Sequence, residues 1–211
     1  MGKLHLTALT DKVALAAKSF FTACRNHAPD DSFYGLALCP DSAVRSFYWM
    51  ANSNQSRQKK PERWLATSLR KHPEQQATIE QALDQYRFEV ADWQFHEDSL
   101  PKDAPDYREA NQLYLKATGA LTEVWEAYRG SWIRSNLGVR MLCLDAIVDG
   151  LKLFDSGYAW APGIERNRFA LLVVFPAPDG PEEVQEACRM ARKLNPPESF
   201  AAFRAGYDPD A

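Results

Sequence analysis

The stretch SFYGLALCPDSAVRSFYWMA, residues 32–51, decides how this chain is read. Ser32 to Cys39 and Val44 to Ala51 are both rich in aromatic and β-favouring residues, and Pro40-Asp41-Ser42 between them has the composition of a turn. The pair predicts an antiparallel hairpin. Before it, Leu9, Val13, Ala16, Ala17, Phe20, Phe21 and Cys24 recur at helical spacing. They predict a half-buried helix over about Thr7 to Asn26. Pro29 stops it, because a proline disfavours helix at the residue before it.

After the hairpin the pattern becomes mainly helical. Short helices are expected over Glu62 to Lys71 and Glu74 to Asp84, parted by Pro73. Tyr86 to Phe95 is a third strand candidate, with a bulge near Ala91-Asp92 where alternation slips. Tyr107, Ala110, Tyr114, Ala117, Leu121, Val124 and Tyr128 then recur in steps of three and four. Leu113, Trp125 and Trp132 widen that stripe. This predicts a long amphipathic helix, with Gly119 a weak point worth about 1 kcal/mol against Ala. A second long helix is expected from Gly138 to Phe154, closed by Asp155-Ser156-Gly157 with Gly157 as a left-handed cap. Phe169 to Phe175, FALLVVF, reads as a central strand covered on both faces. Asp179-Gly180-Pro181-Glu182-Glu183 opens a last helix, with proline in its first turn and acids at its positive end. Asn195-Pro196-Pro197 ends that helix, and the tail from Gly206 is expected to fray.

Strands and helices do not alternate regularly. The expected class is therefore α+β, with a mostly antiparallel sheet of about four or more strands packed against several helices. The 211 residues suit one domain with a substantial core. Hydrophobic residues at 45% and charged residues at 25% are the balance of a folded globular chain. No apolar run approaches the length of a membrane span, and the first ten residues do not read as a signal peptide. Cys24, Cys39, Cys143 and Cys188 form no C-x-x-C pair and read as reduced core thiols. A cytoplasmic location is the expectation that follows.

Motifs that carry chemistry are sparse. There is no G-x-G-x-x-G, Walker loop or G-x-S-x-G. His5, His27, His72 and His96 are scattered, so no metal site is expected, and no cofactor either. Asp145 and Asp149 lie one turn apart. They read either as a carboxylate pair or as the solvated face of a helix. Arg166 and Arg168 precede the apolar strand and could grip an anion, or simply belong to the loop that enters the sheet. A ligand pocket could be built from Tyr34, Trp93, Asp145, Asp149, Arg166 and Arg168, provided that they converge.

Two charged segments are candidate interfaces. Arg57 to Lys71 holds six cations against Glu62 alone and could serve a nucleic-acid accessory protein. With a net charge of -3 the chain lacks an overall basic footprint, which speaks against nucleic acid. Glu97, Asp98, Asp103, Asp106 and Glu109 face only Lys102 and Arg108, in a proline-stiffened loop. That loop could plug a basic active site on another protein, or cap the long helix behind it.

Phe33-Tyr34-Gly35-Leu36-Ala37-Leu38 after an N-terminal helix, Asn52-Ser53-Asn54 after the second strand, Trp93, Val148-Asp149-Gly150-Leu151-Lys152 and Leu194-Asn195-Pro196 stand in a characteristic order. In that order the chain resembles the bacterial domain-of-unknown-function family 4303 (DUF4303) over about residues 7 to 203, leaving 204–211 as a tail. It departs from the family's pattern at Asn52 to Asn54, where a threonine and an acid are implied. The resemblance carries no enzymatic activity and no catalytic residue. Similar proteins look like immunity proteins encoded beside interbacterial toxins. The function expected is therefore a non-catalytic protein-binding domain, with a toxin as the partner that the resemblance implies. A small enzyme or ligand-binding domain is the alternative.

Overall fold

The computed structural model describes residues 2–57, 87–88, 90, 93–96, 99–128, 136–160 and 164–207. Helix α1 (Gly2–His27) uses the expected face, with Leu9, Val13, Ala17, Phe21 and Cys24 fully buried. Strands β1 (Phe33–Pro40) and β2 (Phe47–Ser53) form the expected antiparallel hairpin, with Leu36 opposite Ala51 and Leu38 opposite Trp49.

The second strand starts three residues later than its composition implies, and the turn explains why. The Asp41 carboxylate accepts from the backbone N–H of Arg45 and Ser46 and from the Ser46 hydroxyl. Val44 sits at φ 55°, a costly conformation for a β-branched residue. Its side chain is nevertheless fully buried, and its carbonyl accepts from the Trp125 indole at 2.7 Å. Partial burial pulls the Asp41 carboxyl upward, but the hydrogen bonds it accepts outweigh that and hold it below its ordinary range.

The sheet has the order β3-β2-β1-β4, with β3 Phe95–His96 and β4 Ala170–Val173. The β1–β2 and β2–β3 pairings are antiparallel, whereas β4 runs parallel to β1. The sheet is thus mixed, within an α+β fold. Phe169 to Phe175 is buried throughout, as its composition requires, yet β4 is an edge strand by pairing and not a central one.

Helices α2 (Pro105–Tyr128) and α3 (Asn136–Gly157) pack on α1 over one face of the sheet. Phe33, Leu36, Leu38, Trp49, Leu171 and Val173 meet them there. Helix α3 continues through Asp155 and Ser156, and Gly157 is its last residue and not a left-handed cap. Tyr158 and Trp160 fold back on Phe154, and with Phe21 and Phe169 they form a cluster of edge-on and tilted rings. Each such pair adds roughly 0.5–1.5 kcal/mol beyond area burial.

The other face carries Tyr34, Ala37, Cys39, Met50, Ala170 and Leu172, with Phe88, Val90 and Trp93 beside them. Helix α4 (Pro181–Leu194) begins where proline and two acids place it. It straddles the β4 side, giving Met190 and Leu194 to the first core and Ala187 and Ala191 to the second. Helix α5 (Pro197–Tyr207) follows directly. The double proline hides it in the sequence, for it stops α4 while Pro197 itself fits the first turn of a new helix.

Cys24, Cys39, Cys143 and Cys188 are free, and burial pushes the thiols of the first three up. Among the described residues no helix is long and apolar enough to cross a membrane. The short helices expected before residue 86, the bulge at Ala91-Asp92, Trp132 and residues 208–211 lie outside the described residues.

Candidate functional site

The strand ends that meet on the second face leave a polar cleft of about 510 Å³. The start of β1 gives Ser32, Phe33 and Tyr34, and the segment after β2 gives Asn54 and Arg57. Arg87 and Phe88 form another wall. A 3-10 turn at Arg166–Arg168 gives Asn167 and Arg168, and the first turns of α5 give Glu198, Ser199 and Ala202.

Tyr34 is the centre of its floor. The hydroxyl donates to the Arg87 carbonyl at 3.1 Å and accepts from Asn52 Nδ2 at 2.9 Å. Burial pushes this phenol up to about 12, against the opposing fields of Arg57 and Arg87 and the Asn52 hydrogen bond. It stays neutral and is a fixture of the scaffold. The Trp93 indole donates to the same Arg87 carbonyl at 3.2 Å, and its ring meets Tyr34 edge-on. Gly35 makes room for that ring, since a Cβ there would lie 2.5 Å from Trp93 Cη2.

The local fold also fixes Arg57. Ser53 is fully buried at the end of β2, and its Oγ accepts from the Ser56 backbone N–H, an N-cap contact that starts a helical turn at Asn54. Ser53 Oγ also contacts Asp31 at 2.5 Å and Ser56 Oγ at 2.9 Å. Gln55 ties the turn back to β1 by accepting from Ser32 N–H and donating to the Asp30 carbonyl. The turn aims Arg57 at the cleft, with its guanidinium 5.9 Å from the Tyr34 ring centroid. Arg87 stands 5.7 Å from the same centroid and 5.3 Å from that of Phe88. Arg57 Nε is buried without a hydrogen-bond partner among the described residues. Arg168 is paired with Glu165 at 3.1 Å, and both are largely exposed.

Of the six residues proposed from sequence as a pocket, Tyr34 and Arg168 line this cleft, Trp93 is buried against Tyr34, and the other three lie elsewhere. Arg166 turns inward as a clamp. It holds both Asp155 oxygens at 2.6 and 2.9 Å and donates to the carbonyls of Phe169 and Leu194. Asp145 pairs with Arg189 and Lys193 of α4, and Asp149 with Lys152 of its own helix. Helix α3 buries Cys143, Ala146, Ile147 and Gly150 in the core, so its two aspartates fall on another side. Arg87, Asn167, Glu198 and Ser199 were not singled out by sequence reasoning. Arg87 is embedded in an aromatic strand-like stretch, where alternation alone marks it as a surface charge.

The acidic segment is only partly described, with Glu97 and Asp98 outside the described residues. Asp106 accepts from Asn26 Nδ2 at 2.6 Å, which ties α2 to the end of α1. Asp103 and Glu109 are exposed. Asp106 and Glu109 line a groove of about 260 Å³ with Leu15, Lys18, Thr22 and Leu113. Of the basic segment, only Arg57 is described.

Residues 13–196 match the family described as Domain of unknown function (DUF4303). The chain belongs to this family. The match to DUF4303 takes in the four strands of the described residues, Tyr34, Arg57, Arg87 and Arg168, and it ends one residue before α5 begins. The cleft is therefore framed by DUF4303 residues on three sides and by α5 on the fourth. No match was found among curated proteins or among solved structures.

Proposed function

We propose that this protein is a non-catalytic binding domain whose recognition site is the cleft between Tyr34, the two flanking arginines and α5. The observation that carries this reading is the buried Nε of Arg57, a donor with no partner among the described residues at the wall of a roomy polar cleft. Buried donors are normally satisfied, so one left open beside a cavity calls for a ligand acceptor. The hydroxyls nearby support binding over catalysis. Ser53 is fully buried against Asp31, Ser199 donates to the Asn167 carbonyl, and Tyr34 is committed at both lone pair and proton.

Ala202→Trp tests the reading. It fills the cleft from an already partly exposed helical position, and its circular dichroism is expected to match that of the wild type. Small polar compounds that raise the melting temperature of the wild type are expected to lose that effect in the variant. Equal stabilisation of both proteins would remove the cleft as the site.

A second reading keeps a protein partner, namely neutralisation of an interbacterial toxin. Its support is the groove between α1 and α2, where Leu15 is 53% exposed beside Lys18 and Glu109. An exposed leucine within a charged rim is the composition of a protein interface. Co-expression with the product of the adjacent gene is expected to yield a complex that Asp103→Lys with Glu109→Lys weakens. A neighbour that is harmless alone and does not associate would dispose of this reading.

A further inference from the structure

We infer that the cleft takes a small molecule with an oxyanion at one end, a phosphate ester or a carboxylate, and hydroxyl or amino donors at the other. This rests on the cleft being the recognition site. The inference comes from how the charges are arranged. Arg57 and Arg87 converge on one aromatic ring, and Arg87 also lies against Phe88. The planar N–H edge of Arg57, with its Nε unpartnered among the described residues, matches the spacing of two oxygens on a carboxylate or phosphate. Both arginines line the cleft at this end, and a cation with an open donor at a cleft wall favours an anionic group there. No carboxylate of the described residues forms an ion pair with Arg57, and its Nε points at no other acceptor among them.

The opposite wall is of different character. Glu165 is spent on Arg168, but Glu198 stands at the start of α5 with no ion pair among the described residues. Glu198 and Asn167 offer acceptors to a ligand's hydroxyl or amino groups. A volume of about 510 Å³ holds far more than an isolated ion, so the ligand has a body that spans the two walls. The floor between them is Tyr34, already fully bonded, which presents an aromatic surface and no free polar group.

The full-length protein is titrated at low ionic strength with D-ribose 5-phosphate, glutarate and D-ribose, by calorimetry and by the arginine Nε–Hε resonances. One or both anions are expected to bind and to shift the Arg57 signal, and D-ribose to bind at least about tenfold more weakly than its phosphate. Whichever anion binds tells phosphate from carboxylate. Arg57→Gln is expected to weaken the anion by about tenfold or more, with Arg57→Lys in between because it keeps the charge but loses the fork. If Arg57→Gln fails to fold, Arg57→Lys and the wild-type Nε–Hε shift decide. An anion that binds without moving that signal, or whose affinity survives both substitutions, overturns the inference. D-ribose bound as tightly as its phosphate, with both lost in Ala202→Trp, overturns the oxyanion and leaves the cleft as a binding site. No binding by any of the three at millimolar concentration overturns both.

Discussion

Gly150→Ala is expected to destabilise the protein by about 2 kcal/mol or more, although the same exchange at an open helical position stabilises by about 1 kcal/mol. Gly150 lies on α3 where that helix crosses α1. A Cβ there would meet the Thr10 carbonyl oxygen at 2.7 Å and the Cβ and Cγ1 of Val13 at 2.8 Å. Neither neighbour can yield. The first is helix backbone, and the second is a buried β-branched side chain held in one rotamer by its own helix. The crossing must open, and the Thr10 hydroxyl would then lose its bond to the Ala146 carbonyl at 3.1 Å. Gly119 on α2 supplies the internal control. Nothing lies within 4 Å of a Cβ built there, so Gly119→Ala is expected to raise stability by roughly 0.5–1 kcal/mol. Urea denaturation reads both as shifts in midpoint at constant slope. Shifts of the same sign would mean that the α1–α3 crossing is not closed by contact at Gly150.

That pair also illustrates which features the sequence discloses. Gly119 could be judged from its place in a strongly periodic stripe, because an exposed helix position depends on local propensity alone. Gly150 looked like one more small residue on the apolar face of α3, since its meaning lies in a neighbour 140 positions away. The same division runs through the fold. Periodic apolar residues placed α1, α2, α3 and α4, and turn chemistry placed the hairpin. The start of β2 was misplaced because Val44 has strand composition, while the Asp41 carboxylate captures the backbone on either side of the turn. FALLVVF announced burial on both faces, but its place at an edge depends on pairing partners that no local pattern encodes. The site was legible by residue type and not by convergence. Tyr34, Trp93 and Arg168 were drawn together with Asp145, Asp149 and Arg166 because all six can bind something. Only the register of β1 with β4 and the packing of α3 decide which of them face one cleft.

Asn195→Ala is expected to cost about 3 kcal/mol, a large effect for one amide just past the end of a helix. The reason is the edge position of β4. An edge strand presents N–H and C=O groups that must be satisfied or that invite pairing with another chain. Leu171 is fully buried, so water does not serve its outward-facing pair. Asn195 does so instead. Its Oδ1 accepts from Leu171 N–H at 2.7 Å, and its Nδ2 donates to the Leu171 carbonyl at 2.7 Å and to the Ala191 carbonyl at 2.9 Å. One side chain thus imitates a neighbouring strand for one residue and ties the end of α4 to the sheet edge. Truncation leaves a buried donor and a buried acceptor open, at roughly 1–3 kcal/mol each. Asn195→Asp separates this from a loss of packing. It keeps the volume and the acceptor, but it gives up both donors and sets a carboxylate against two carbonyl oxygens. Its deficit at neutral pH is therefore expected to match or exceed that of Asn195→Ala. It should shrink as acid protonates the new carboxyl, because the neutral form can donate to one carbonyl again. Hydrogen exchange at the Leu171 amide reports the contact directly, with protection falling in both variants while the Leu36 and Leu38 amides of β1 keep theirs in proportion to global stability. An Asp variant as stable as the wild type at neutral pH would mean that Asn195 is only a spectator beside the strand.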